Sequence, residues 1–245
     1  MKADPAAQRR LLDLAEVDAE LGRVHHRRTS MPELAEITAA EQAVRACADA
    51  RVAVQTQLDD LDREVTRQEK EIDAVRAREE RDRGLMAGGT LNSKALTDME
   101  HEMATLKRRR SVLEDDLLEL MERREAVGMD AQHAGVALAE AEQRLAEVTA
   151  RRDENLADLD TTQARRDAER ATIVPGVPAG LLALYERKRA ARGIGAALLR
   201  ARRCGSCQIE IDRRELSLIK ESPADEVVEH EECGVILVRT AESGV

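Results

Sequence analysis

Apolar side chains recur at steps of three and four along most of this chain. From Leu96 they run through Met99, Met103, Leu106, Leu113, Leu117, Leu120, Val127, Ala131, Ala134, Leu138, Ala141, Leu145, Val148 and Leu159. The register does not slip, although Arg110, Arg124, Arg152 and Asn155 take seam positions. An earlier segment repeats the spacing through Leu34, Ile37, Val44, Cys47, Val54, Leu58, Leu61, Val65, Ile72 and Val75. A shorter one comprises Leu14, Val17, Leu21 and Val24. Sustained three-four spacing predicts helices whose apolar seams must be covered by a partner helix.

The breaks in the pattern set the pairing. Three glycines between residues 84 and 92 end one helix, and Asn92 or Ser93 is placed to cap the next. A short turn between two long amphipathic helices predicts an antiparallel hairpin. The Ser30-Met-Pro-Glu33 sequence reads as a capping box, so a helix break is expected near 29–32. The long return helix, 93–172, would measure about 120 Å. Residues 1–172 are thus expected to form the coiled-coil hairpin. The Pro/Gly segment 173–180 reads as a hinge, and 181–245 as a short helix followed by a small β domain. In that domain Ala196–Leu199, Gln208–Ile211 and Val235–Val238 read as strands. The predicted class is mainly α: a long antiparallel coiled-coil helical hairpin followed by a small C-terminal β zinc ribbon.

Composition agrees. Phe and Trp are absent, Tyr185 is the only aromatic residue, and charged residues make up 36% of the 245. A thick core normally draws on aromatic volume, so most of this chain is expected to be thin, paired helix. No apolar run reaches membrane-spanning length and no leader-like segment opens the sequence, so a cytoplasmic protein with reduced thiols is expected.

The candidate chemistry lies near the end. Cys204-Gly-Ser-Cys207 is followed, twenty-two residues later, by His230-Glu-Glu-Cys233. Two such knuckles present four soft ligands from two tight turns, as a tetrahedral Zn²⁺ requires. Four protein ligands leave no position for water, which is the arrangement of a structural ion rather than a catalytic one. Glu231 and Glu232 are alternatives to His230 as fourth ligand. So small a β domain lacks the apolar area to fold alone, and metal binding should supply much of its stability. Cys47, on a seam, reads as a small buried apolar side chain.

These features together resemble the bacterial coiled-coil/C4-type zinc-ribbon proteins, which have chlamydial and flagellar-regulatory members. The resemblance covers nearly the whole chain. Asn92-Ser-Lys-Ala-Leu96, with Met99 and Glu102 downstream, is similar to the stretch after the family's hairpin turn, with Ala95 where an acidic residue is usual. Tyr185 resembles the tyrosine that precedes the ribbon, and Cys204, Cys207 and Cys233 match three zinc cysteines, while His230 replaces the fourth. The resemblance implies adaptor work, since members bind an alternative sigma factor or secretion components, and one is linked to messenger RNA.

No catalytic constellation is visible. The His25-His26-Arg27-Arg28 run falls at a helix C-terminus, where cations suit the macrodipole, and no enzyme activity is expected. Three surfaces remain as contact candidates. The hairpin offers grooves to a partner protein, a sigma factor or other transcription component among the candidates. The loop tip offers Leu85, Met86 and Leu91. Before and within the ribbon, Arg187, Lys188, Arg189, Arg192, Arg200, Arg202, Arg203, Arg213 and Arg214 form a basic stretch suited to nucleic-acid phosphates or an acidic partner. The acidic segment 215–232 and the net charge of −10 oppose a nucleic-acid role. A structural spacer is the third alternative, and the seams fit a monomer or a homodimer equally.

Overall fold

The computed structural model describes residues 1–89 and 91–244. It contains helices α1 (Pro5–Thr29), α2 (Pro32–Ala87), α3 (Ser93–Ile173) and α4 (Ala179–Arg192). Strands β1 (Ala196–Arg200) and β2 (Arg203–Cys204), helix α5 (Arg213–Glu221), and strands β3 (Val228–Glu229) and β4 (Ile236–Val238) complete the order. The chain divides into two compact units: residues 35–149, and residues 1–34 together with those from 150 onward.

The first of these is the helical hairpin of α2 and α3. From Arg78–Glu102 to Asp62–Arg124 the cross-helix partners fall along α2 while they rise along α3, which is the signature of antiparallel pairing. Arg78 pairs with Glu102, Arg110 with Glu79 at 2.8 Å, Arg76 with Glu114 at 2.8 Å, and Arg124 with Asp62. Two of the three arginines that interrupt the seam, Arg110 and Arg124, therefore meet acids across it. Glu79 is only 2% exposed, so its pairing with Arg110 is required rather than decorative. Ile72, Val75, Met103, Leu106, Leu138 and Val148 are buried along the seam, and Cys47 is half-buried there. At the turn, Asn92 Oδ1 accepts from the Ala95 amide at 2.8 Å and caps α3. Leu85 is exposed and Met86 half-buried on the last turn of α2, while Leu91 is half-buried after the turn.

In the second unit the break falls where the proline places it, but its chemistry differs from expectation. Ser30 does not cap α2. It ends α1, its hydroxyl donating to the His26 carbonyl at 2.8 Å, and Glu33 accepts from Asn155 at 2.9 Å instead of reaching back. His26, Arg27 and Arg28 occupy the last turn of α1.

The sheet runs in the order β2-β1-β4-β3, with β1 parallel to β4 and the other pairs antiparallel. Both faces of its centre are covered, which is why Val235–Val238 is a continuous apolar run rather than an alternating one. Ala196, Ile236 and Val238 pack under Ala3, Ala7, Leu11 and Leu14 of the N-terminal segment and under Leu181, Leu184 and Tyr185 of α4. Ala197, Leu199, Val235 and Leu237 face Ile211, Ile219 and Cys204 on the opposite side. The apolar area that the β region lacks is thus supplied by the start of the chain. Residues 1–3 also pair with the stretch before β3: the Ala3 amide donates to Asp225 O at 2.7 Å and the Val227 amide to Met1 O at 2.9 Å.

One strand expected in this region is absent, and the segment 173–180 read as a hinge is packed: Val177 is buried in the core beneath α1 and Arg10 donates to the Gly176 carbonyl at 3.0 Å. Gln208–Ile211 forms no strand beyond a single bridge from Glu210 to Arg203, and the chain turns into α5. Asp212 starts that helix, its carboxylate accepting from the Arg214 and Glu215 amides at 2.7 and 2.9 Å. Arg239 closes it, donating to the carbonyls of Ile219, Ser222, Pro223 and Glu226.

Candidate metal centre

Both knuckles are built by backbone hydrogen bonds before any ligand is considered. In the first, the Cys204 amide donates to Ile209 O at 3.1 Å and the Gln208 amide returns to Cys204 O at 2.9 Å. Gly205 donates to Leu198 O, and a Cβ there would stand 2.8 Å from that oxygen, so the turn needs glycine. In the second, the His230 amide donates to Val235 O at 3.0 Å and the Gly234 amide to His230 O at 2.7 Å. Gly234 takes φ of +69°, a conformation that side chains disfavour.

The two turns bring Cys204, Cys207, His230 and Cys233 together, with all four donor atoms within 4.8 Å of one another. Cys204 Sγ and Cys233 Sγ are 3.8 Å apart, and His230 Nδ1 lies 3.5 Å from Cys207 Sγ and 3.0 Å from Cys233 Sγ. Cys204 is fully buried and His230 is 1% exposed. Glu231 and Glu232, the alternative ligands, are exposed, and the ring nitrogen already faces the thiols. Burial pushes the Cys204 thiol up to about 11. Desolvation also opposes the Cys207 thiolate, but hydrogen bonding from the Ile209 amide and the neighbouring thiols outweighs it, and that thiol is lowered. Cation binding therefore has to displace the Cys204 proton, and apparent affinity should rise with pH.

Sequence reasoning missed the residue behind the histidine. Glu215, on α5, is buried, with Oε2 3.9 Å from His230 Nε2 and Oε1 accepting from the Glu231 amide at 3.0 Å. A carboxylate behind a ligating imidazole fixes its tautomer and raises its basicity. The residue was hidden because no helix was expected between Gln208–Ile211 and the second knuckle. We expect Glu215→Gln to weaken metal affinity about tenfold, the lower end of such effects, because the pair stands just beyond hydrogen-bond range. Competition against a chromophoric chelator measures this, and unchanged affinity would exclude the role.

The basic stretch is only partly free. Lys188 pairs with Glu229, Arg189 with Asp18 at 3.2 Å and with Glu186 at 3.4 Å, Arg200 with Glu242 at 3.4 Å, and Arg203 with Glu210 at 3.7 Å. Arg187, Arg192, Arg202, Arg213 and Arg214 are exposed. Arg202 stands with Ala201 in the two-residue turn joining β1 to β2, both at positive φ. The amides of these two residues donate to the Glu242 and Ser243 carbonyls.

A long antiparallel helical hairpin whose C-terminal sheet carries a three-cysteine, one-histidine cluster defines the class of this protein. Comparison with known proteins places it further. The CT398-like coiled coil hairpin domain matches residues 14–193, and the chain belongs to that family. The uncharacterized protein Rv2229c of Mycobacterium tuberculosis is 42% identical over 239 residues, covering 98% of each chain. A solved structure from Mycobacterium smegmatis is 40% identical, with a TM-score of 0.86 over 98% of this chain and 100% of that one. The structure of CT398 from Chlamydia trachomatis shares the fold at 17% identity, with a TM-score of 0.66 over 95% of this chain and 97% of its own. Among the described residues no helix is long and apolar enough to cross a membrane.

Proposed function

We propose that this protein is a non-enzymatic cytoplasmic adaptor, in which one structural zinc ion holds the C-terminal sheet in shape for recognition of a protein partner. The observation that carries this reading is the completeness of the donor set. Three thiols and one imidazole converge on a single point, with Cys204 and His230 shut away from solvent. A catalytic ion keeps a coordination position for water, and these four donors fill a tetrahedron. Their spacing suits zinc. With Zn–S bonds of about 2.3 Å, two thiolates of a tetrahedral site stand about 3.8 Å apart, which is the Cys204–Cys233 separation. The 3.0 Å contact from His230 to Cys233 is tighter and is that of an imidazole–thiol hydrogen bond.

The partner class we carry forward is a component of the transcription machinery, an alternative sigma factor among the candidates. The test is affinity capture by the full-length protein from cells that produce it, beside a Cys204→Ser/Cys233→Ser form. A partner held in stoichiometric amount by the parent alone supports the reading. Retention of no protein overturns it.

A second reading, contact of Arg202, Arg213 and Arg214 with nucleic-acid phosphates, is favoured by their exposure beside the metal cluster. Pairing of Lys188, Arg189, Arg200 and Arg203 with acids counts against it. Titration of the full chain with RNA and duplex DNA across a salt series decides it, since phosphate contacts produce a steep salt slope.

A further inference from the structure

One face of the hairpin has no use inside this chain. Leu118, Met121, Met129 and Val136 of α3 are between 49% and 60% exposed. At about 100° per residue they fall within a sector of roughly 80°, on the side of the helix away from the seam. On α3, Glu125 falls inside this sector and Asp115, Glu122 and Glu140 lie along one side of it, with His133 at the same edge. Arg123 and Arg124 lie outside the sector and are engaged elsewhere, Arg123 with Glu119 at 3.5 Å and Arg124 with Asp62. Other carboxylates of α3 are paired, as Glu102, Glu114 and Asp160 show. The four beside the stripe have no ion pair among the described residues.

A second feature lies along the flank. Gly128 and Gly135 sit a heptad apart in mid-helix, where glycine is a poor choice. A Cβ on either would meet nothing within 4 Å, so neither is explained by packing within the chain. Both border a shallow depression with Arg51, Gln55, Leu58, Arg124, Ala131 and Gln132, on the flank opposite the carboxylates. Glycines of this kind permit close backbone approach from outside.

We propose that this face docks a basic amphipathic helix of another protein, its apolar residues on Leu118, Met121, Met129 and Val136 and its lysines or arginines on the four carboxylates. The inference rests on the adaptor reading and supplies the chemistry of its partner. The stripe spans about 27 Å, or five helical turns, so an occupant of about twenty residues fits it. Unbranched methionines adapt to the side chains presented. Charge selects among occupants. A second copy of this chain would set acid against acid, and nucleic acid or an anionic bilayer would be repelled.

The probe is a synthetic twenty-residue helical peptide of leucine and lysine, beside a leucine–glutamate counterpart, titrated into full-length protein labelled at its methionine methyl groups. The lysine peptide is expected to shift the Met121 and Met129 signals and leave those of Met1, Met31 and Met99 in place, while the glutamate peptide does nothing. Leu118→Asn with Met129→Asn should weaken binding at least tenfold, Glu122→Gln with Glu125→Gln should flatten its salt dependence, and Val52→Asn on α2 should change neither. Binding equal in parent and stripe variant, shifts spread over the other methionines, or a concentration-dependent dimer abolished by the stripe variant would overturn the proposal. If the peptide fails while capture still retains a partner, this face is eliminated and the adaptor reading stands. If capture fails while the peptide binds, the adaptor reading falls and the face remains.

Discussion

Full-length protein carrying Cys204→Ser and Cys233→Ser together is expected to purify without zinc, against one ion per chain in the parent. It should also lose hydrogen-exchange protection from residue 196 to residue 238. The reason lies in what covers the far side of the sheet. There the apolar cluster consists of Ala197, Leu199, Ile211, Ile219, Val235 and Leu237, with Cys204 at its centre and Cys207 and Cys233 against it. The ligands are therefore part of the packing, and they join the two knuckles across this side. Structural zinc contributes on the order of 10 kcal/mol in small domains, as much as the few aliphatic side chains of this cluster supply together. Serine is close to cysteine in shape, so the substitution removes the ion with little change in volume. The cluster on the other face contains no ligand and draws on α1 and α4, so most helical circular dichroism should persist. A variant that keeps its zinc, or one that loses the ion without losing protection, would show that the metal does not organise this region.

Legibility followed the kind of interaction involved. The hairpin was readable because a seam repeats, and the antiparallel partners Arg110–Glu79 and Arg124–Asp62 stand where seam arginines require acids. The Cys204, Cys207, His230 and Cys233 cluster was readable because cysteine is rare and the knuckle spacing is short. What escaped notice depends on contacts between residues far apart in sequence. Nothing local to Leu11 or Leu14 shows that they pack over β4, more than two hundred residues later. Nor does Asp18 advertise its partners: it is an acid on an amphipathic helix like many others here. The missed helix α5 had a local signal in Asp212, placed to accept from the next amides, with Ile219 about one turn beyond Glu215. The strand reading of Gln208–Ile211 took precedence because alternating residues resemble a strand, although Gln208 adopts positive φ to close the first knuckle.

Asp18→Ala is expected to destabilise the unit that carries the Cys/His cluster by about 3 kcal/mol, a large effect for one carboxylate on a helical surface. The side chain is 2% exposed and three donors converge on it: the Tyr185 hydroxyl at 2.7 Å, Arg170 Nε at 2.9 Å and Arg189 Nη2 at 3.2 Å. These come from α4 and the end of α3, so one carboxylate ties three helices together. Burial, then the hydrogen bond to Asp18, drives the Tyr185 phenol far above its ordinary range, so it stays protonated and donates. Removing Asp18 leaves that buried hydroxyl unpaired and takes from Arg170 and Arg189 the more buried of the two acids they share, leaving them Glu186. Arg170 and Arg189 are 25% and 31% exposed and recover some hydration, which holds the cost below that of a fully buried pair. Asp18→Asn keeps an acceptor for the phenol but not the charge, and should fall between parent and alanine variant. Tyr185→Phe should cost about 1 kcal/mol, the value of a single hydrogen bond. Tyr185 is the only aromatic residue, so tyrosine fluorescence during urea unfolding reports on this junction alone in the parent and Asp18 variants. Circular dichroism at saturating zinc gives the matching curve for the phenylalanine variant. If Asp18→Ala unfolds within about 0.5 kcal/mol of the parent, the ordinary range for a surface substitution, the three-helix junction is held by its apolar contacts and the ion pairs merely accompany them.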